Sequence, residues 1–196
     1  MSTDAVRLFI AVPVPPAVRA ELQRARRRFE GGGVPRLRWV RAEAVHLTLK
    51  FLGEIPSARI GVVERELEEV CAESRRHALR LSGCGVFGGR RPRVLWAGLD
   101  GAVADTATLA GAIDARLAAR GFPSERRDFR PHLTLARVSD GATADDRDRL
   151  AGLIRRAGAL PPLVLPVEQV QLIRSDLQPG GARYTTLRAF PLGVAP

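Results

Sequence analysis

A stretch near the start of the chain, Arg7-Leu-Phe-Ile-Ala-Val12, recurs 86 positions later as Arg93-Val-Leu-Trp-Ala-Gly98. The tetrapeptide His46-Leu-Thr-Leu49 recurs at the same offset, unchanged, as His132-Leu-Thr-Leu135. Ser57 and Thr143, each placed to start a helix, keep this register, and so do the strand-like runs beginning at His77 and Leu163. Self-similarity at a fixed offset marks a repeated architecture, and here it spans almost the whole length. Each half reads strand, helix, strand, helix, strand. The expected fold class is α+β: an internally duplicated, bilobal fold with two mainly antiparallel sheets and outer helices, arranged pseudo-twofold around a central cleft. The expected organisation is a single domain over 1–196 built of two similar lobes. The repeats cover about 7–87 and 93–173, and a C-terminal strand follows at 183–190.

Apolar spacing fills in the elements. Val18, Leu22, Ala25 and Phe29 recur at helical spacing after Pro15-Pro16, residues that suit a first turn. Ile60, Val63, Leu67 and Val70 mark a second helix, with Glu64, Glu66, Glu68 and Glu69 largely toward solvent. Leu109, Ile113 and Leu117 mark a third, and Leu150, Leu153 and Ile154 a fourth. The fourth opens with Thr143-Ala-Asp-Asp146, a capping box with Asp in place of Glu. Glycines 31–33 and 88–89 read as loops, and Gln178-Pro-Gly-Gly181 as a turn.

Composition narrows the class. The chain has 196 residues, 45% hydrophobic and 27% charged, which excludes disordered, fibrous and membrane-spanning types. Two cysteines, Cys71 and Cys84, are too few for a disulfide framework or a structural zinc site. Asp4 and the prolines at 13, 15 and 16 spoil any signal peptide, so the expected location is the cytoplasm, with no membrane partner and a monomeric state. There are 31 basic residues against 21 acidic, a net of +10, and Lys50 is the only lysine. Such a surface favours phosphate-rich partners, because arginine forks onto phosphate oxygens, although a GC-rich genome would also write Arg for Lys.

Two of the three histidines open the duplicated tetrapeptides. Side chains alternate along a strand, so His46, Thr48 and Lys50 are expected on one face and Leu47, Leu49 and Phe51 on the other. His132 and Thr134 likewise share a face against Leu133 and Leu135. Two imidazoles with ordinary pKa near ~6.5 can divide base and acid roles at neutral pH. Two threonine hydroxyls can hydrogen-bond the non-bridging oxygens of a phosphate between them. In-line displacement at phosphorus needs a base on the attacking side and an acid on the leaving side, and twofold symmetry supplies both. A lone His-x-Thr on a strand is commonly structural. Two copies in repeat register are harder to assign to packing.

With these residues in place, the chain resembles the two-histidine phosphoesterase superfamily, which is defined by paired His-x-Thr motifs. More closely it resembles the RNA 2′,3′-cyclic phosphodiesterases, also called 2′-5′ RNA ligases (the LigT or ThpR group). The stretches that carry the likeness are 7–12, 44–53, 93–98, Phe129–Arg137 and Arg183–Thr185, and together they run from residue 7 to about 192. The resemblance implies hydrolysis of an RNA-terminal 2′,3′-cyclic phosphate to a 2′-phosphomonoester, possible reverse 2′-5′ ligation, no metal and no cofactor. It implies His46 as proton donor to the departing 3′-oxygen and His132 as base for water. The symmetric sequence alone does not choose between the two. Partners implied are RNA with 2′,3′-cyclic phosphate ends or cyclic nucleotides.

Four further residues are candidates for substrate binding. The resemblance makes Arg137 substrate-facing, yet strict alternation puts it opposite His132 unless a bulge or strand end intervenes. Arg130 shares the His132 face in a regular strand. Phe9 and Tyr184 either stack on a base or serve as core aromatics. His77 receives no role. Gly83-Cys-Gly-Val-Phe-Gly88 fits a dinucleotide fingerprint but leads into a strand rather than a helix. The Arg26-Arg27-Arg28 run suits a helix C-terminus. Two other readings stay open: a non-catalytic RNA- or nucleotide-binding module, and a phosphodiesterase acting on small cyclic nucleotides.

Overall fold

A computed structural model describes residues 4–33, 36–89, 91–179 and 181–193. The element order is β1 (Ala5–Pro13), α1 (Pro16–Gly31), β2 (Leu37–Trp39), β3 (His46–Pro56), α2 (Ile60–Glu73), β4 (His77–Phe87), β5 (Val94–Gly101), α3 (Val103–Ala119), β6 (His132–Val138), α4 (Ala144–Ala157), β7 (Val164–Val167), β8 (Gln169–Gln178) and β9 (Gly181–Pro191). Gly180 of the expected turn lies outside the described residues.

The helices form where the apolar spacing places them. In α1, Val18, Leu22, Ala25 and Phe29 are buried, and Pro16 sits in the first turn. Thr143 caps α4: its hydroxyl accepts from the Asp146 N–H, while the Asp146 carboxylate accepts from the Thr143 N–H. On α2, Glu66 departs from expectation. It is 2% exposed, and Arg120, the residue just past the end of α3, donates to it at 2.7 Å.

The strands do not form two sheets. They join in one nine-stranded sheet with the order β7-β4-β5-β6-β3-β1-β8-β9 and β2 paired to β6. The pair Leu47↔Leu133 links β3 to β6 and makes the sheet continuous. The run expected as one strand from Leu163 breaks at Glu168 into β7 and β8. These pair with β4 and β1 respectively, near opposite ends of the strand order. Since Glu168 alone separates them, the sheet curls.

One large core packs all four helices against one face: Leu22, Leu67, Ile113 and Leu150 meet Leu8, Ile10, Leu47, Leu95 and Leu133. The opposite, concave face holds a small separate cluster of Phe9, Ala11 and Ile173. Among the described residues, no helix is long and apolar enough to cross a membrane.

Candidate active site

The two His-Leu-Thr-Leu segments are adjacent strands. Leu47 and Leu133 are paired and fully buried in the core, so the side chains on either side of each point to the other face. Counting outward along the antiparallel register sets His46 opposite Thr134 and Thr48 opposite His132, all four half-buried on the helix-free face.

Both rings are held by the same local device. His46 Nδ1 donates to the Ala44 carbonyl at 2.8 Å, and His132 Nδ1 donates to the Arg130 carbonyl at 2.7 Å. A carbonyl can only accept, so Nδ1 carries the proton in each neutral ring and Nε2 keeps its lone pair. Among the described residues, neither Nε2 has a hydrogen-bond partner. His77 shows the contrast: its Nδ1 also faces a carbonyl two residues back, but its Nε2 is engaged by Thr106 Oγ1 at 2.8 Å. His46 is lowered from its ordinary value to about 4: burial is the main cause, the Ala44 carbonyl pulls the other way, and the positive charge of a protonated His132 adds to the lowering. Burial lowers His132 as well.

Aromatic rings surround the pair. Phe9 stacks on His46 with ring centroids 4.4 Å apart, and Tyr184 meets both rings edge-on, 5.4 Å from His46 and 5.0 Å from Phe9. Phe9 is 3% exposed, so its face is occupied by the imidazole, whereas Tyr184 is 37% exposed. On the other side, Phe87 and His132 meet at right angles with ring centroids 4.7 Å apart, and the Trp96 centroid lies 5.2 Å from that of Phe87. The Trp96 indole covers Gly85 and Gly98. A Cβ at Gly85 would lie 2.4 Å from the ring, so glycine is what lets the indole lie flat there.

Two β-bulges change the expected faces. Between Ile10 and Ala11 of β1 the partners on β3 step from Lys50 to Thr48, which leaves Leu49 as the extra residue. Between Leu95 and Trp96 of β5 the partners on β6 step from Ala136 to Thr134, which leaves Leu135 as the extra residue. Each bulge inverts the alternation beyond it. Lys50 therefore does not share the His46 face. It is 5% exposed, and its ammonium donates to Asp114 and to the Pro123 carbonyl. Phe51, expected in the core, is 61% exposed, and its ring stands 6.0 Å from Phe9. Arg137 is exposed on the far side of the second bulge, which turns it toward the His132 face. Arg38 of β2 stands directly across from it. Arg130 precedes β6, so strand alternation does not govern its side chain, and it is the Arg130 carbonyl that touches His132.

Phe51, Phe87, Trp96 and Lys50 were not picked out by motif. Only a bulge places Phe51 in the site, and the alternating pattern carries no mark of one. Among the described residues, no three His, Cys, Asp or Glu side chains gather where they could hold a metal ion.

The sequence profile of the 2′-5′ RNA ligase superfamily matches residues 14–179. A Geobacillus stearothermophilus protein named RNA 2′,3′-cyclic phosphodiesterase is 33% identical over 192 residues, covering 96% of this chain, which spans 58% of that protein's length. A Methanothermobacter thermautotrophicus protein of the same name is 30% identical, covering 95% of this chain and 99% of its own. Among solved structures, a Thermus thermophilus protein superposes with a TM-score of 0.77 at 31% identity, over 95% of this chain and 97% of that one. Escherichia coli LigT in complex with 3′-AMP superposes with a TM-score of 0.75 at 26% identity, over 96% and 99%.

Proposed function

The chain belongs to the 2′-5′ RNA ligase superfamily, and from that premise we propose that it hydrolyses RNA-terminal 2′,3′-cyclic phosphates to 2′-phosphomonoesters without a metal, by acid–base catalysis between His46 and His132. The observation that carries this reading is the matched pair of imidazoles on adjoining strands, each with Nδ1 tied to a carbonyl and Nε2 left for chemistry. A fixed tautomer and a fixed ring plane are what a proton-transfer group needs.

The phosphate sits between the two rings. Neutral His132 accepts the proton of an attacking water through Nε2, and protonated His46 delivers a proton to the departing 3′-oxygen. Thr48 and Thr134 donate to the non-bridging oxygens, where charge accumulates as the fifth bond forms. Ring strain in the five-membered phosphate lowers the barrier, so no Lewis acid is required. The leaving oxygen stays on its ribose, which places the terminal nucleoside on the His46 side, where Tyr184 and Phe51 offer exposed ring surface for its base. Phe9 backs the imidazole, and Arg137 faces the phosphate from the other side.

Burial holds free His46 neutral at pH 7, so its proton arrives with the substrate: the phosphate anion supplies the counter-charge that restores the imidazolium. The strand order read outward from β3 and β6 meets β1 and β5 next, then β8 and β4, and this supports the duplicated, two-lobed reading.

The test is incubation of an oligonucleotide ending in 2′,3′-cyclic phosphate with the protein in EDTA, with products followed by ³¹P NMR. A 2′-phosphomonoester is expected from the wild type, and none at a comparable rate from His46→Ala or His132→Ala. Turnover that survives both substitutions discards the mechanism.

A further inference from the structure

The hairpin from β4 to β5 closes a cavity on the face of the sheet away from the two histidines. Arg91 N–H donates to the Gly88 carbonyl at 3.0 Å, and Arg93 N–H to the Phe87 carbonyl at 2.8 Å. Gly88 has φ 110°, and a Cβ there would run into the Arg91 carbonyl, so this tight return requires glycine. Arg93 extends the β5 ladder by one residue, because its own carbonyl accepts from the Val138 N–H at 2.9 Å. The next residue, Val94, pairs with Arg137 on the concave face. Alternation therefore turns the Arg93 side chain to the helix face, where Val138 packs on the large core and α4 supplies Arg147. The hairpin, the end of β6 and the start of α4 enclose about 320 Å³, lined by Arg91, Arg93, Ser139, Asp140 and Arg147. That volume lies at the lower end of the ~300–1,000 Å³ of small-molecule pockets.

Where arginines gather elsewhere in the fold, they do so around a shared carboxylate. Arg24 and Arg28 share Glu21, and Arg116 and Arg120 share Glu66. The cavity gathers three without one. Among the described residues, Arg91, Arg93 and Arg147 have no ion-pair partner, and Asp140, the only acid in the lining, pairs with none of them. The nearby Asp146 is engaged elsewhere: it accepts the Thr143 N–H at 2.8 Å and stands 3.8 Å from Arg36. Like charges around one space repel, and an anion among them relieves this. The donors are also held in place. Arg147 is half-buried and anchored by one bond from Nη2 to the Ala142 carbonyl at 2.9 Å, which leaves its other N–H groups free. The Ser139 N–H is fixed on the Arg36 carbonyl at 2.9 Å, and its hydroxyl adds a further donor. Donors already in position cost little ordering when a ligand binds.

We propose that this cavity binds a small molecule carrying a chain of two or three phosphates, at a site separate from the paired histidines. Guanidinium forks take phosphate oxygens two at a time, and three of them around one space suit adjoining phosphoryl groups better than a single one. A nucleic-acid backbone spreads its charge along a track, whereas here the charge is gathered at one point. The phosphate chain comes either free or attached to a nucleoside. Binding requires neither histidine and no turnover, so its test is independent of the phosphodiesterase reading.

Calorimetric titration with tripolyphosphate and with ATP, both in EDTA, measures the site directly. The background is H46A/H132A, which removes the two rings from any competing phosphate site on the concave face. This variant is expected to bind tripolyphosphate, and to bind inorganic phosphate about tenfold more weakly, since fewer charge-assisted bonds form. Adding R93A/R147A to it is expected to weaken tripolyphosphate by about tenfold or more, for the same reason. The charge-matched control R65A/R155A, exposed positions on α2 and α4 outside the cavity lining, should keep the affinity of the background. Arg91→Ala, at an exposed hairpin position, should weaken binding by itself and decides the matter if R93A/R147A does not fold. ATP bound more tightly than tripolyphosphate makes a nucleotide the occupant; equal or weaker binding makes it the free chain. No binding of tripolyphosphate at millimolar concentration, affinity unchanged by loss of the cavity arginines, or an equal fall in the control overturns the site.

Discussion

Phe51 on β3 and Arg137 on β6 stand five residues after a histidine, each just past a bulge, and face the site with opposite chemistry, one an exposed ring and the other a guanidinium. The apolar position suits a base and the cationic one a phosphate. Phe51→Ala is expected to lower kcat/KM roughly tenfold, in line with ~1–3 kcal/mol for a base–aromatic stack. Its effect on the melting temperature should be small, since Phe51 is 61% exposed. Phe51→Tyr should restore activity. Unchanged kinetics in Phe51→Ala would remove this residue from substrate binding.

Removal of either imidazole is expected to cost about 10²–10⁴-fold in kcat. The double variant His46→Ala/His132→Ala should lose far less than the product of the two single losses, because the rings act on one transition state. Single-turnover kinetics on a cyclic mononucleotide measures all three.

The depressed histidines set the pH response. The productive free enzyme needs His46 protonated and His132 neutral, and burial lowers both from the ordinary 6.5, His46 to about 4. Above these values the acid form is depleted, so kcat/KM should peak below pH 6.5 and fall toward pH 8. Binding of inorganic phosphate at pH 7 should take up protons, measurable by calorimetry in buffers of different ionisation enthalpy. A kcat/KM that rises steadily to pH 8 contradicts the assignment of His46 as acid.

The same shift has a sign for stability. As pH falls from about 6.5 to about 4, the unfolded chain binds a proton at residue 46 that the folded chain refuses. This contribution to stability is therefore intact above pH 6.5, is lost progressively down to about 4, and is flat below. Urea melts of wild type and His46→Asn over that range should converge as the pH drops.

Lys50 links β3 to the segment that leads into His132. Its ammonium holds Asp114 and the Pro123 carbonyl, and Asp114 also accepts the Glu125 N–H. Lys50→Met should leave the Pro123 carbonyl without its donor, destabilise the fold by about 1–3 kcal/mol, and speed hydrogen exchange over residues 123–131. kcat should fall more than KM rises, since the Arg130 carbonyl that holds His132 belongs to this segment. Exchange rates equal to wild type would show that the segment is held without Lys50.

The faces of the helices and the two His-x-Thr pairs were legible because period alone decides them: Val18, Leu22, Ala25 and Phe29 line up at 3.6 residues per turn, and His46 and Thr48 at two per pleat. Beyond Leu49 the period of two no longer holds. A bulge adds a residue without changing which types are apolar, so Lys50 read as surface and Phe51 as core. What makes a buried lysine tolerable is Asp114, 64 residues further along the chain, a partner that no local window contains. Buried Glu66, answered by Arg120 54 residues further along, just past the end of α3, has no local signal for the same reason. The joining of the strands into one sheet rests on the Leu47↔Leu133 pair, whose leucines look like any other core residues.

That pair also gives the sheet a seam. Elsewhere neighbouring strands are laced along several residues, but β3 and β6 meet through Leu47 and Leu133. The line of least resistance to bending therefore passes beneath the two His-x-Thr pairs. A small rotation about it changes the gap between the two imidazoles while leaving the ladders on either side intact. The spacing that suits four oxygens around phosphorus and the wider one that suits five thus differ by a flexing of one joint, with no loop or domain displaced.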